Sequence, residues 1–300
     1  MHILVAWDGS AGGQQAAGLA TSMAWPAGSV VRLVSVFDPV PLMIAPRWAG
    51  GSSPISVELD AEIMAGLRAD LDALVARLGG PGRTVEGSVL RGRPASVIVD
   101  EARSFEADVV IVGSRGHGSI AALLLGSVSA EIVDQAPCPV LVARRPAPER
   151  VLFATDGSAS AATAEAVIAS WPIFAELPIR VVAVADVTEP WRSGVAPTMY
   201  GLAMDAYTVD LEAAQLENRR LADASVERLQ AAGRQAVSEV RTGDAAAEII
   251  LAAEAFDAGL VVLGSRGRTG LARFVLGSVA RNVVHAGTAS VLIVREAVRA

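Results

Sequence analysis

The stretch Val109-Val110-Ile111-Val112-Gly113-Ser114-Arg115-Gly116-His117-Gly118 decides the fold, and it occurs twice. Val261-Val262-Leu263-Gly264-Ser265-Arg266-Gly267-Arg268-Thr269-Gly270 restates it. In each copy a short, mostly β-branched run reads as a buried strand and closes on a glycine-rich loop. An apolar stretch follows. Then Gly126-Ser127-Val128 in the first copy, and Gly277-Ser278-Val279 in the second, open a helix-like segment. Glycine lets backbone N–H groups converge on one point, because no Cβ blocks positive φ or close approach. A helix start adds unpaired N–H donors and the positive end of its dipole. The combination predicts an anion cradle, and the commonest anion held in this way is a nucleotide phosphate.

Working outward, residues 2–7 run apolar and stop at Asp8-Gly9-Ser10, a buried strand closed by turn residues. Alternating patterns follow: a helix over about 12–24, a strand over 30–37, an amphipathic helix over 58–78 with Leu59, Ile63, Leu67, Leu71, Leu74 and Leu78 on one face, a strand over 84–90, a helix over 95–105, the strand 109–112, a helix over 128–135 and a strand over 140–143. Strands alternating with helices predict an open parallel sheet covered on both faces. Ligands of such sheets sit beyond the carboxyl ends of the strands, which brings Asp8 and Gly113 near each other. Residues 38–56 hold four prolines and read as a long loop, a candidate lid.

After a proline-bearing linker at 144–149 the whole order repeats. Asp156-Gly157-Ser158 restates Asp8-Gly9-Ser10, residues 181–184 restate the second strand, 186–207 restate the long loop, and 211–231 restate the long helix. The chain therefore divides into two domains, residues 1–146 and 147–300.

Composition sets the limits. Three hundred residues, 52% hydrophobic and 19% charged, make a globular chain with room for two cores. The net charge of −7 gives no electrostatic footprint for nucleic acid or an anionic membrane. All 25 basic residues are arginine, which rules out a phosphate-binding or Schiff-base lysine. The single cysteine, Cys138, excludes an internal disulfide and reads as a small residue at the start of a strand. No basic segment precedes the first apolar run, and no apolar run reaches membrane-spanning length, so a cytoplasmic protein is expected.

The two glycine loops carry a resemblance. Gly113 and Gly116 are followed by nine residues and then Gly126-Ser127; Gly264 and Gly267 are followed by nine and then Gly277-Ser278. This fits the pattern G-x2-G-x9-G-[S/T] of nucleotide-binding universal stress proteins, and each half resembles one domain of that family over nearly its whole length. The resemblance implies two tandem five-stranded parallel sheets of strand order 3-2-1-4-5, with ATP at the strand carboxyl ends. It places Asp8 and Asp156, in their Asp-Gly-Ser triplets, toward the adenosine end, and Gly113 and Gly264 near the ribose. Gly116, Gly126, Ser127, Gly267, Gly277 and Ser278, with Val128 and Val279 beside them, would hold the phosphates. Backbone at Val36-Phe37 and Val184-Ala185 would meet the adenine edge. The protein supplies no metal cluster of its own in this reading; magnesium or manganese would bridge phosphate oxygens near Asp8 and Asp156. Family domains pair through the fifth strand, so the halves are expected to pair or the chain to form a homodimer.

Each candidate also has a plain structural reading. Asp8 and Asp156 suit ribose hydroxyls or a metal, and they equally suit an Asx-turn or a helix cap. Ser127 and Ser278 can donate to phosphate or cap a helix. Arg115 and Arg266 could pair with phosphate, or be solvated loop charges, or meet the other domain. The loop glycines could serve a tight turn, but a turn alone leaves the later Gly-Ser unexplained. His117 stands opposite Arg268, which argues against a shared catalytic histidine. Arg91 and Arg93 read as loop residues, and the five tryptophans are scattered as core or lid residues.

Two functions remain. One is a nucleotide-gated regulator, in which ATP occupancy changes conformation or partner choice. The other is a slow ATPase or a phosphoryl- or adenylyl-transferring enzyme. Chemistry of that kind needs a positioned base, an electrophilic cation and exclusion of water. With no lysine, no repeated histidine and no carboxylate beyond the phosphates, the residues favour binding.

Overall fold

The computed structural model describes residues 1–39, 54–80, 84–114, 116, 125–187, 200–267 and 276–295. They fall into two compact units, Met1–Ala143 and Arg144–Ala300. The first runs β1 (His2–Ala6), α1 (Ala11–Ser22), β2 (Val30–Phe37), α2 (Pro54–Leu78), β3 (Thr84–Arg91), α3 (Pro94–Ser104), β4 (Val109–Gly113), α4 (Ser127–Gln135) and β5 (Val140–Ala143). The second runs β6 (Val151–Ala154), α5 (Ala159–Ser170), a 3-10 turn at Pro172–Phe174, β7 (Ile179–Ala185), α6 (Tyr200–Ala231), β8 (Ala236–Thr242), α7 (Ala245–Ala255), β9 (Leu260–Gly264), α8 (Ser278–Ala286) and β10 (Ser290–Val294).

Within the first unit the strands are parallel in the order β3-β2-β1-β4-β5, and within the second in the order β8-β7-β6-β9-β10. Both are the 3-2-1-4-5 arrangement. Ile3 lies opposite Val31 on one side and Val109 on the other; Val151 lies likewise between Ile179 and Leu260. The central strands are apolar on both faces because helices cover both: every residue of β4, β5 and β6 is buried. In each unit the order reverses beside the first strand, the place where such sheets open a crevice at their carboxyl ends.

The long helices differ from the sequence reading in three ways. Helix α2 starts at Pro54, inside the stretch read as loop, since proline's fixed φ and missing N–H suit a first helical turn. Helix α6 starts at Tyr200 and not near 211, so residues 200–207 are helical; Ala203, Met204 and Ala206 favour that state. Third, the leucine stripe of α2 is buried only toward its C-terminal end. Leu71 and Leu74 are buried, while Leu59 and Ile63 are 41% and 40% exposed. A 25-residue helix is roughly 37 Å long and an eight-residue strand roughly 26 Å, so the helix outruns the sheet it covers. Most of both predicted lids, residues 40–53 and 188–199, lies outside the described residues.

Candidate functional site

The Asp-Gly-Ser triplets turn each first strand into its helix. Asp8 Oδ1 accepts from the Ser10 N–H at 3.0 Å and from Ser10 Oγ at 2.5 Å; Asp156 Oδ1 accepts from the Ser158 N–H at 3.0 Å. The serine hydroxyls cap α1 and α5 by accepting from Gly13 N at 3.1 Å and Ala161 N at 3.2 Å. The intervening Gly9 and Gly157 have φ of 81° and 75°, which glycine adopts without steric cost. One carboxylate oxygen of each aspartate thus does the work of an Asx-turn.

The other oxygen points at the glycine loop. A Cβ on Gly116 would lie 2.6 Å from Asp8 Oδ2, and one on Gly267 would lie 2.9 Å from Asp156 Oδ2. A Cβ on Gly113 would lie 2.5 Å from the carbonyl carbon of Gly12, at the start of α1. On Gly264 it would lie 2.5 Å from Ser160 Oγ, at the start of α5. None of these four glycines has a left-handed φ. Their place in the sequence is explained by close approach of strand end, loop and helix start, and not by turn geometry.

Each loop is closed in the same way. The Gly126 N–H donates to the Ser114 carbonyl at 2.9 Å, and the Gly277 N–H to the Ser265 carbonyl at 2.8 Å. Gly126 and Gly277 are themselves the caps of α4 and α8, in extended conformation and with no side-chain hydrogen bond to the helix. Ser127 and Ser278 occupy the first helical position, so the cap reading of those serines is corrected. Glycine caps bring no acceptor, and the first-turn N–H groups of α4 and α8 are left without the side-chain partner that a serine or aspartate cap supplies. Val128 follows on the exposed side of α4 and Val279 stands half-buried on α8.

At the second-strand ends the two units diverge. The Phe37 carbonyl accepts from the Gly92 N–H at 2.9 Å and the Ala185 carbonyl from the Gly243 N–H at 3.2 Å, one residue past Val36 and Val184 respectively. Arg91, read from sequence as a loop residue, ends β3; its guanidinium lies 5.6 Å over the Phe37 ring and pairs with Asp60 at 2.6 Å. The matching place in the second unit holds Thr242, which accepts from Gln215 Nε2 at 3.0 Å. Trp7, directly before Asp8, is 6% exposed, and its buried indole N–H has no hydrogen-bond partner among the described residues. Thr155 takes its place in the second unit and accepts from the Gly157 N–H at 3.3 Å. Ser160, which the sequence analysis did not single out, touches the second loop beside Ser158; its only signal was that Gly12 faces it in the repeat.

Arg266 is held by its backbone: its carbonyl accepts from Ser158 Oγ at 3.3 Å and from Ser160 Oγ. Arg115, His117 and Arg268 lie outside the described residues. Among the described residues no group of three or more histidine, cysteine, aspartate or glutamate side chains is placed to hold a metal ion, and no helix is long and apolar enough to cross a membrane.

Two tandem doubly wound α/β units, each with an aspartate and a glycine loop meeting at the strand ends, define the class of protein. The model of the universal stress protein family matches residues 1–144 and again 148–295, and the chain belongs to that family. It is 34% identical over 142 residues to the "Universal stress protein in QAH/OAS sulfhydrylase 3'region" of Thermus aquaticus, covering 47% of this chain and 97% of that one. It is 32% identical over 225 residues to universal stress protein Rv2005c of Mycobacterium tuberculosis, covering 71% of this chain and 70% of that one. A crystal structure of a universal stress protein from Archaeoglobus fulgidus aligns over 98% of both chains with a TM-score of 0.65 at 17% identity, a likeness of fold.

Proposed function

We propose that each unit binds one molecule of ATP, and that occupancy gates conformation or the choice of a protein partner. The observation that carries this reading is the approach of a strand-end carboxylate oxygen to the second loop glycine in both units, beside a helix start whose cap brings no acceptor. The residues fit a polyphosphate: the loop and first-turn N–H groups offer donors and helix-dipole charge to the phosphates. Asp8 and Asp156 sit where a carboxylate can meet ribose hydroxyls or, with phosphate oxygens, share a magnesium ion. Any metal in this reading depends on the ligand's own oxygens. Binding, and not turnover, is favoured because the cradle has neither a lysine nor a repeated histidine, and in this reading its carboxylates lie toward the ribose and not beyond the phosphates, where a base would act.

The test is direct. Purified protein is denatured, the released nucleotide is identified by chromatography and counted per chain, and a parallel sample is followed for ADP. About two nucleotides per chain at saturation, with no steady ADP release, is the expected result. No nucleotide, and no binding on adding ATP with magnesium, overturns the reading.

A further inference from the structure

The starts of α1 and α5 differ at their second residue. In the second unit Ser160, the second residue of α5, is 2% exposed, and its hydroxyl makes two contacts with one loop residue. Its Oγ donates to the Arg266 carbonyl and accepts from the Arg266 N–H at 3.3 Å. The hydroxyl fits only because residue 264 is glycine, whose absent Cβ would lie 2.5 Å from that oxygen. Ser158 Oγ adds a third contact to the same carbonyl at 3.3 Å. In the first unit the place of Ser160 is taken by Gly12, which has no side chain; there the helix start packs its own backbone against Gly113.

We infer that Ser160 is a positioning residue that makes the two nucleotide sites unequal, the second binding nucleotide more tightly than the first. The inference rests on the nucleotide reading above. Arg266 immediately precedes Gly267, whose N–H belongs to the proposed phosphate cradle. Fixing the Arg266 peptide fixes the direction of the next N–H before any ligand arrives. A loop ordered in advance spares the ligand part of the ordering cost. Ser160 consumes the Arg266 N–H as a donor, but it leaves the Gly267 N–H and the first turn of α8 to the phosphates. One donor given up against the two contacts by which Ser160 holds the cradle in shape favours the tighter site. The consequence is a division of labour: the second site keeps a resident nucleotide, and the first exchanges with the surrounding pool and responds to its concentration.

The experiment isolates one site at a time. Gly126→Val leaves the second site and Gly277→Val leaves the first; both caps have backbone angles that valine accepts. Calorimetric titration with ATP and magnesium is expected to give the Gly126→Val protein about tenfold tighter binding than the Gly277→Val protein. Adding Ser160→Ala to Gly126→Val should remove about that tenfold advantage. Amide exchange then separates positioning from general damage. The Arg266 amide should exchange faster in Ser160→Ala, while amides in the middle of α5 and the melting midpoint stay as they were. Unchanged affinity and unchanged Arg266 exchange in Ser160→Ala overturn the inference alone, as does tighter binding. Wild-type protein that binds no nucleotide overturns the nucleotide reading and this inference with it.

Discussion

The glycines at the site serve different purposes, and substitution separates them. Gly277 is a cap in extended conformation whose Cβ would sit 3.4 Å from the Arg266 Cα and the Ser265 carbonyl, an ordinary contact. Gly277→Ala should therefore fold normally. Gly264→Ala should not, because its Cβ meets Ser160 Oγ at 2.5 Å and the Ser160 and Ala161 backbone at 2.7 and 2.8 Å. Overpacking of this kind costs about 1–3 kcal/mol, and urea denaturation of the two variants should show the contrast. The sequence made these positions legible as glycine but not why. A pattern of spacing looks the same whether glycine is needed for a turn or for a neighbour's approach, and only the distances decide. Asp8 carries both readings at once, one oxygen in the turn and the other toward Gly116. Asp8→Ala, in a protein with the second site disabled by Gly277→Val, should weaken ATP more than inorganic triphosphate. Equal losses for the two ligands would mean that the aspartate acts through the turn or a metal and not through the ribose.

Among the elements, the two helices packed on one another in the second unit show what the repeat conceals. Glu165 on α5 is 8% exposed, and its carboxylate accepts from Ser225 Oγ and from Arg228 Nη2 at 3.0 Å, both on α6. The hydrogen bond to Glu165, against the burial that opposes charge, holds the Arg228 guanidinium above its ordinary pKa. The corresponding places in the first unit are Ala17 and Leu74, both buried, with Arg77 reaching Gln14 instead at 3.1 Å. Two buried apolar residues in one copy stand where the other has a polar network on the same backbone plan. Glu165→Ala would leave the Ser225 hydroxyl buried without its acceptor, while Arg228, more than half exposed, recovers water. A loss of about 1–3 kcal/mol is expected in urea denaturation. Glu165→Ala with Ser225→Leu rebuilds the first unit's pair and should recover most of it, since an apolar replacement of a buried ionic network is often neutral. A double variant no more stable than Glu165→Ala would show that the interhelix space differs between the units. The alternation of strands and helices was legible because apolar runs and glycine punctuation mark each element, whereas the strand order 3-2-1-4-5 was implied by the family resemblance and not by periodicity. The helix starts at Pro54 and Tyr200 were not legible, because proline suits a first turn as well as it suits a loop, and the stretch 186–207 was read as a copy of the first long loop. The buried stripe of α2 was overextended because periodicity marks which face is apolar but not how far the covered sheet reaches.

At the scale of the molecule, each unit has its own core and, in the proposed reading, its own ligand, so occupancy should register separately in their stabilities. ATP at a hundred times its dissociation constant should add about 2.7 kcal/mol to the unit that binds it. For units of this size that corresponds to a rise in melting midpoint of about 5–10 °C. The informative sample is the Gly126→Val chain, in which only the second site remains. Scanning calorimetry with saturating ATP and magnesium should then resolve two transitions, one moved upward and one where it stood without ligand. The same scan on wild-type protein should move both. If the Gly126→Val chain instead melts as one transition that shifts whole, binding at the second site stabilises the first unit as well, and the coupling needed for a nucleotide-gated regulator is present within a single chain. A scan in which ATP moves neither transition, in wild-type protein or variant, would remove nucleotide binding from the account and leave the family and its fold.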